Sequence, residues 1–112
     1  MQHSDVPRQY VKTLVLPDSQ GSEMVALPSN YQYEYRFLLI SNFTAAKLHL
    51  GSPDVAVGWS VPAYSQRLIA MPKDFLEGFA VNYTANTDAT NTQVELTFSK
   101  YPFGNTNTLS GF

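Results

Sequence analysis

The chain reads as all-β, an antiparallel β-sandwich of about eight strands of jelly-roll or Greek-key type. Three observations lead there. Short stretches alternate apolar and polar residues with a period of two, the mark of a strand with one buried face. Clusters of Gly, Pro, Asn, Asp and Ser interrupt them roughly every 8–12 residues. No stretch carries the apolar spacing of an amphipathic helix. At 112 residues the chain has room for one domain, which at this size buries roughly two-thirds of its unfolded surface. It divides into a polar N-terminal arm (residues 1–8), a sandwich (9–103) and an uncharged C-terminal tail (104–112).

The first strand falls on residues 9–16, where Val11, Thr13 and Val15 alternate with Tyr10, Lys12, Leu14 and Leu16 until Pro17 ends it. Residues 18–21 (D-S-Q-G) carry the Asp and Gly of a tight reversal. A short strand over 23–27 follows. The longest and most apolar strand expected spans 31–42 (Y-Q-Y-E-Y-R-F-L-L-I-S-N). Its period of two places Tyr31, Tyr33, Tyr35, Phe37 and Leu39 on one side, with Phe37 and Leu39 as core. From Phe37 to Ile40 both sides are apolar, so the middle of this strand is expected to be covered on both faces.

Residues 45–50 (A-A-K-L-H-L) place Ala46, Leu48 and Leu50 on one face and Lys47 and His49 on the other. A strand over 55–61 is interrupted by Gly58, which suggests a bulge. Pro62-Ala63-Tyr64-Ser65 reads as a turn, 66–71 as a strand, and 73–77 (K-D-F-L-E) as one helical turn. The last two strands fall on 78–84 and 92–101. Between them, 85–91 (A-N-T-D-A-T-N) reads as a projecting polar hairpin loop.

Composition narrows function by exclusion. The charged fraction is 14%, well below the ~25% of an ordinary soluble protein. That leaves much neutral, polar-aromatic surface and favours life inside an assembly. The net charge of −2 is spread without runs, so no electrostatic footprint for nucleic acid or an anionic membrane is present. Cysteine is absent, which removes disulfides and thiolate chemistry. The opening M-Q-H-S-D-V-P-R lacks an apolar core and no apolar run reaches spanning length, so neither signal peptide nor membrane span is expected.

Enzymatic chemistry finds little footing. Of the two histidines, His3 falls in the arm and His49 on the polar face of a strand. No nucleophile elbow accompanies them. Asp54 with Asp74 or Glu77 offers a carboxylate pair of the kind any sandwich supplies by chance. Asp18, Asp54 and Asp88 lack the spacing of a calcium loop. No catalytic residue, metal or cofactor is expected. Asn42 and Asn82 begin glycosylation sequons that chance explains. An aromatic platform of Tyr31, Tyr33 and Trp59 could stack on a sugar ring, although such residues equally form the rim or anchor of a core. The arms are the stronger interaction candidates, with Gln2, Val6, Arg8, Asn105, Leu109 and Phe112 as contact residues. Uncharged segments of this kind can add to a neighbour's sheet edge through main-chain hydrogen bonds.

Several stretches also share a rhythm: F-L-L-I-S-N at 37–42, K-L-H-L-G at 47–51, S-V-P-A-Y-S at 60–65, Met71-Pro72, G-F-A-V-N-Y at 78–83 and V-E-L-T-F at 94–98. Over roughly residues 33–102 the chain resembles small β-sandwich structural proteins of tailed bacteriophage virions, such as decoration, fibre-base and adaptor proteins. The resemblance transfers no functional residue. It implies a non-enzymatic, many-copy virion component, assembled in the host cytoplasm, that forms a homo-oligomer through its arms and sheet edges. Its partners would be copies of itself and other virion proteins, not nucleic acid or membrane. The alternative left open is a carbohydrate- or receptor-binding module.

Overall fold

The computed structural model describes residues 8–28, 33–51 and 58–102, and these form a two-layer β-sandwich. Its strands are β1 (Gln9–Val15), β2 (Gly21–Val25), β3 (Phe37–Asn42), β4 (Leu48–Gly51), β5 (Gly58–Val61), β6 (Gln66–Ala70), β7 (Phe79–Tyr83) and β8 (Gln93–Ser99). One sheet has the order β1-β8-β3-β6 and the other β2-β7-β4-β5, with every pairing antiparallel. The pairs β1/β8, β2/β7, β3/β6 and β4/β5 are those of one long hairpin rolled up on itself, which is a jelly roll.

Consecutive strands therefore change sheet at almost every connection. Among the described strands only β4 and β5 are sequence neighbours that also pair. One expectation is corrected by this. Residues 85–91 are not a hairpin loop, because β7 and β8 lie in different sheets. Residues 18–21, expected as a turn, bend at Asp18 and Ser19 as the chain crosses from one sheet to the other. The connections β1–β2, β3–β4, β5–β6 and β7–β8 gather at one end of the sandwich; the β6–β7 connection lies at the other, where β4 ends and β5 begins.

The core is the inner face of both sheets. Leu14, Leu38, Ile40, Val94, Leu96 and Phe98 come from the first sheet, and Val25, Leu48, Leu50, Val61, Phe79 and Val81 from the second; all are buried. Burying such a side chain contributes about 1.5–3 kcal/mol each. The alternation read in β1 and β4 holds: Leu14 and Leu16 are buried while Val11 and Val15 are exposed, and Ala46, Leu48 and Leu50 are buried beneath exposed Lys47 and His49.

The strand expected over 31–42 needs correcting in both extent and phase. Tyr31 lies outside the described residues, Tyr33 and Glu34 form a turn, and the strand runs only from Phe37 to Asn42. Its core residues are Leu38 and Ile40, which face Phe98 and Leu96 of β8. Phe37 and Leu39 point outward and are half-buried. Tyr35 is buried against Phe98 at 6.2 Å between ring centroids, so the inward phase shifts between Tyr35 and Leu38.

Gly58 forms no bulge: it pairs in register with Gly51. A Cβ there would meet the Leu50 carbonyl oxygen and lie 2.7 Å from His49 Nε2, so the ladder demands glycine for close approach. The turn expected near 73–77 is a 3-10 turn over Lys73–Phe75. Gly78, at φ 139°, then swings the chain into β7.

Candidate functional site

At the end where four connections meet, two buried asparagines organise the chain. Asn42 donates from Nδ2 to the carbonyls of Ala46 (2.8 Å) and Pro62 (3.0 Å). Its Oδ1 accepts from the Thr44 amide (3.0 Å) and hydroxyl (2.7 Å). Asn86 accepts at Oδ1 from the amides of Ala45 and Asp88, both at 3.1 Å. It donates from Nδ2 to the carbonyls of Asp88 and Asn91. The Asn86 amide itself reaches the Pro17 carbonyl. Together the two side chains tie three connections into one polar network, and the Asn86 backbone amide adds the fourth. No buried side-chain nitrogen or oxygen among the described residues lacks a partner. Asn42 is thus fully engaged and inaccessible, whereas Asn82, the other sequon residue, stands on the outer face of β7.

Outside this network lies a second tier. Tyr64 is the one non-glycine residue with positive φ (55°) among the described residues, a conformation that costs an L-residue roughly 1–2 kcal/mol. Its amide donates to the Thr44 carbonyl, and its hydroxyl donates to Asp88 Oδ2 at 2.8 Å. Asp88 also accepts from the amides of Thr90 and Asn91 and from Asn91 Nδ2 at 2.9 Å. The Asn91 and Tyr64 bonds, with the backbone amides, hold the Asp88 carboxyl down at about 2. The same carboxylate pushes the Tyr64 hydroxyl up. The loop over 85–91 is folded onto the end of the sandwich rather than projecting from it.

Tyr64 and Asn91 line a cleft of about 510 Å³ with Asn42, Phe43, Ser65 and Gln66. Tyr64 is 60% exposed and Phe43 44%. A larger cleft, about 590 Å³, crosses the outer face of β4, β5 and β7 beside Lys47, His49, Ser60 and Asn82. Its side chains largely bond one another or nearby backbone. His49 Nδ1 lies 3.5 Å from Ser60 Oγ, Asn82 Nδ2 donates to the His49 carbonyl, and Thr84 Oγ1 accepts from the Lys47 amide.

The outer face of the β1-β8-β3-β6 sheet is different in kind. Across it run Val11, Thr97, Leu39 and Leu68 in one row and Gln9, Ser99, Phe37 and Ala70 in the next. Val11, Val15 and Leu68 are 52%, 64% and 45% exposed. Glu95 is the only charged side chain in the outward register of these four strands. The strand edges carry charge instead. Lys12 on β1, Arg67 on β6 and Glu23 on β2 occupy inward registers opposite Leu96, Ile40 and Val81. Inward-pointing charges on edge strands work against further strand addition.

The sequence candidates fall unevenly on this structure. Gln2, Val6, Asn105, Leu109, Phe112, Tyr31, His3 and Asp54 lie outside the described residues. Arg8 is exposed, with its guanidinium 5.2 Å from the centre of the Tyr101 ring and its carbonyl accepting from the Lys100 amide. Tyr33 is exposed and its hydroxyl lies 3.5 Å from Glu77 Oε2. Trp59 sits on the inward register of β5, half-buried, edge-on to Phe75 at 5.4 Å. No group of three or more metal-ligating side chains occurs among the described residues. Sequence reasoning missed Asn42, Asn86 and Tyr64; the Asn/Thr richness of 42–44 and 85–91 was their only local signal. No family model, curated protein or solved structure significantly matches the chain.

Proposed function

We propose that this chain is a non-enzymatic structural subunit that assembles with copies of itself through the outer face of the β1-β8-β3-β6 sheet, its arms adding contacts. The observation that carries this reading is that face, with Val11, Leu39 and Leu68 in one row and a single carboxylate among its outward registers. A two-fold contact sets a surface against itself, so a charge on it finds a partner only if the same face carries the opposite charge. A nearly neutral apolar face suits that geometry, and exposed apolar patches mark interaction surfaces. The inward charges at the edges favour assembly by faces over extension by strands.

The jelly roll is an architecture that viral capsid domains share with lectins and cupins. Together with the resemblance to phage sandwich proteins, it supports a place on a virion as a decoration, cement or head–tail component, assembled in the host cytoplasm. Weak contacts repeated by symmetry would hold such a subunit through avidity.

The test is the native mass by light scattering of the full chain, of Val11→Glu/Leu68→Glu, and of Met24→Glu on the opposite sheet. A defined oligomer that becomes monomeric only in the double variant supports the reading. A chain that is monomeric at high micromolar concentration, or a double variant of unchanged mass, overturns it. A chain lacking residues 1–8 and 104–112, run alongside, measures what the arms add.

A further inference from the structure

The geometry points to a binding cleft for a neutral saccharide at the loop end, with the rings of Tyr64 and Phe43 as stacking surfaces and the side chains of Asn91 and Gln66 as hydrogen-bonding groups. The cleft of about 510 Å³ has the size of a small-ligand site and is lined by two exposed aromatic residues and four small or amide-bearing ones. A pyranose presents apolar C–H faces and a rim of hydroxyls, and this lining offers a counterpart to each.

The polar groups are held in place by the fold with capacity left over. Asn91 donates its amide nitrogen to Asp88, and Gln66 donates Nε2 to Ser41 Oγ at 3.0 Å. Both side-chain oxygens thus have a fixed orientation in which they can accept from a hydroxyl. Tyr64 has its hydroxyl tied to Asp88, which immobilises the ring before any ligand arrives. A preorganised ring loses little freedom on binding. No cationic side chain lines the cleft, and Asp88 stands beside it, so an anionic ligand is disfavoured.

The backbone gives an independent reason to look here. Tyr64 occupies a left-handed conformation that glycine would adopt without strain. Strained residues that persist tend to cluster at functional sites. The tyrosine hydroxyl braces the 85–91 loop through Asp88, while its ring stays 60% exposed beside the cleft.

The experiment titrates the full chain with methyl glycosides of glucose, galactose, mannose, N-acetylglucosamine and N-acetylgalactosamine, with their short oligomers, and with a sialoside as anionic comparison. Protein-observed NMR locates the response. The expected result is saturable shifts at Phe43, Tyr64, Gln66 and Asn91 with at least one neutral sugar, weakened roughly tenfold by Phe43→Ala and by Tyr64→Gly. Tyr64→Gly also removes the hydroxyl bond to Asp88, so Tyr64→Phe, which loses that bond and keeps the ring, is run beside it and is expected to retain binding. Binding by the sialoside alone, the absence of response to every neutral sugar, undiminished binding in both Phe43→Ala and Tyr64→Gly with the fold intact, or binding lost as fully in Tyr64→Phe as in Tyr64→Gly would each overturn the assignment.

Discussion

At one end of the sandwich Asn42 and Asn86 hold three connections through side-chain hydrogen bonds and a fourth through the Asn86 amide, whereas among the described residues the other end packs rings. There Phe75 stacks on Phe79 at 4.5 Å and 10° between planes, and Trp59 meets Phe75 edge-on. The two solutions distribute risk differently. A ring cluster tolerates sliding and tilting that keep its surfaces in contact, because dispersion and burial have no preferred direction. The asparagine network is directional, and each lost partner leaves a buried carbonyl or amide exposed to no solvent. The polar end thereby fixes loop positions to within hydrogen-bonding tolerance, which suits an end that presents side chains outward.

The comparison can be broken by truncating each end. Phe75→Ala should lower the unfolding free energy by about 3–5 kcal/mol, the usual range for a fully buried phenylalanine, with an unchanged denaturant slope. Asn42→Ala should cost about 2–3 kcal/mol, because it strips partners from the Ala46 and Pro62 carbonyls and from Thr44. If chemical denaturation ranks the two the other way, the polar end dominates stability and the ring cluster is secondary. Asn42→Asp sharpens the point: it keeps the shape but replaces a donor facing two carbonyls with an acceptor, and should fare no better than alanine.

The smallest effect concerns pH. The Asp88 carboxyl is lowered from 3.8 to about 2 in the folded chain by its bonds to Asn91, Tyr64 and Thr90. A depressed carboxyl contributes stability that is present above the unfolded value and is lost as pH falls through the folded one. The Tyr64 hydroxyl is raised by the same carboxylate, so its contribution is present below the ordinary value of 10.0 and lost as pH climbs through the raised one. The contribution of the brace is thus complete from about pH 4 to about pH 10. Protection of the Thr90 and Asn91 amides, with their intrinsic exchange rates factored out, should fall in the native chain as pH drops through about 2. The onset should be absent in Asp88→Asn, and no change in the native chain would mean that the carboxylate does not order the loop.

Legibility in the sequence followed the range of the interaction. In β4 one face is wet, so alternation reports the inward side directly, and Leu48 and Leu50 could be placed without a structure; in β1 it separates two sides without choosing between them, because Lys12 falls on the inward one and Val11 and Val15 on the outward. In β3 both sides are apolar, and Phe37 to Ile40 has no polar residue to set the phase; the outer side, expected to be covered, is instead the half-buried surface of Phe37 and Leu39. The aromatic stripe before it then suggested the wrong side. Sheet membership is non-local, and nothing in residues 85–91 distinguishes a hairpin loop from a crossing between layers. The same holds for the candidate cleft. Phe43, Tyr64 and Asn91 come from three different connections, and only the rolled topology brings them together. The neutrality of the chain was visible in composition, but its concentration on one sheet face required the register.

The pairing of β1 with β8 has a consequence for the life history of the molecule. Among the described strands, β1 has no partner in its sheet except β8. During synthesis Val11, Leu14 and Val15 emerge before β8, and their ladder cannot form until Gln93–Ser99 has left the ribosome. A chain whose defining pairings are this distant in sequence folds slowly and late, and its unpaired strands are open to wrong partners meanwhile. Lys12 and Glu23 lie on β1 and β2, two strands that wait in this way, and an inward charge is the kind of feature that discourages wrong strand pairing.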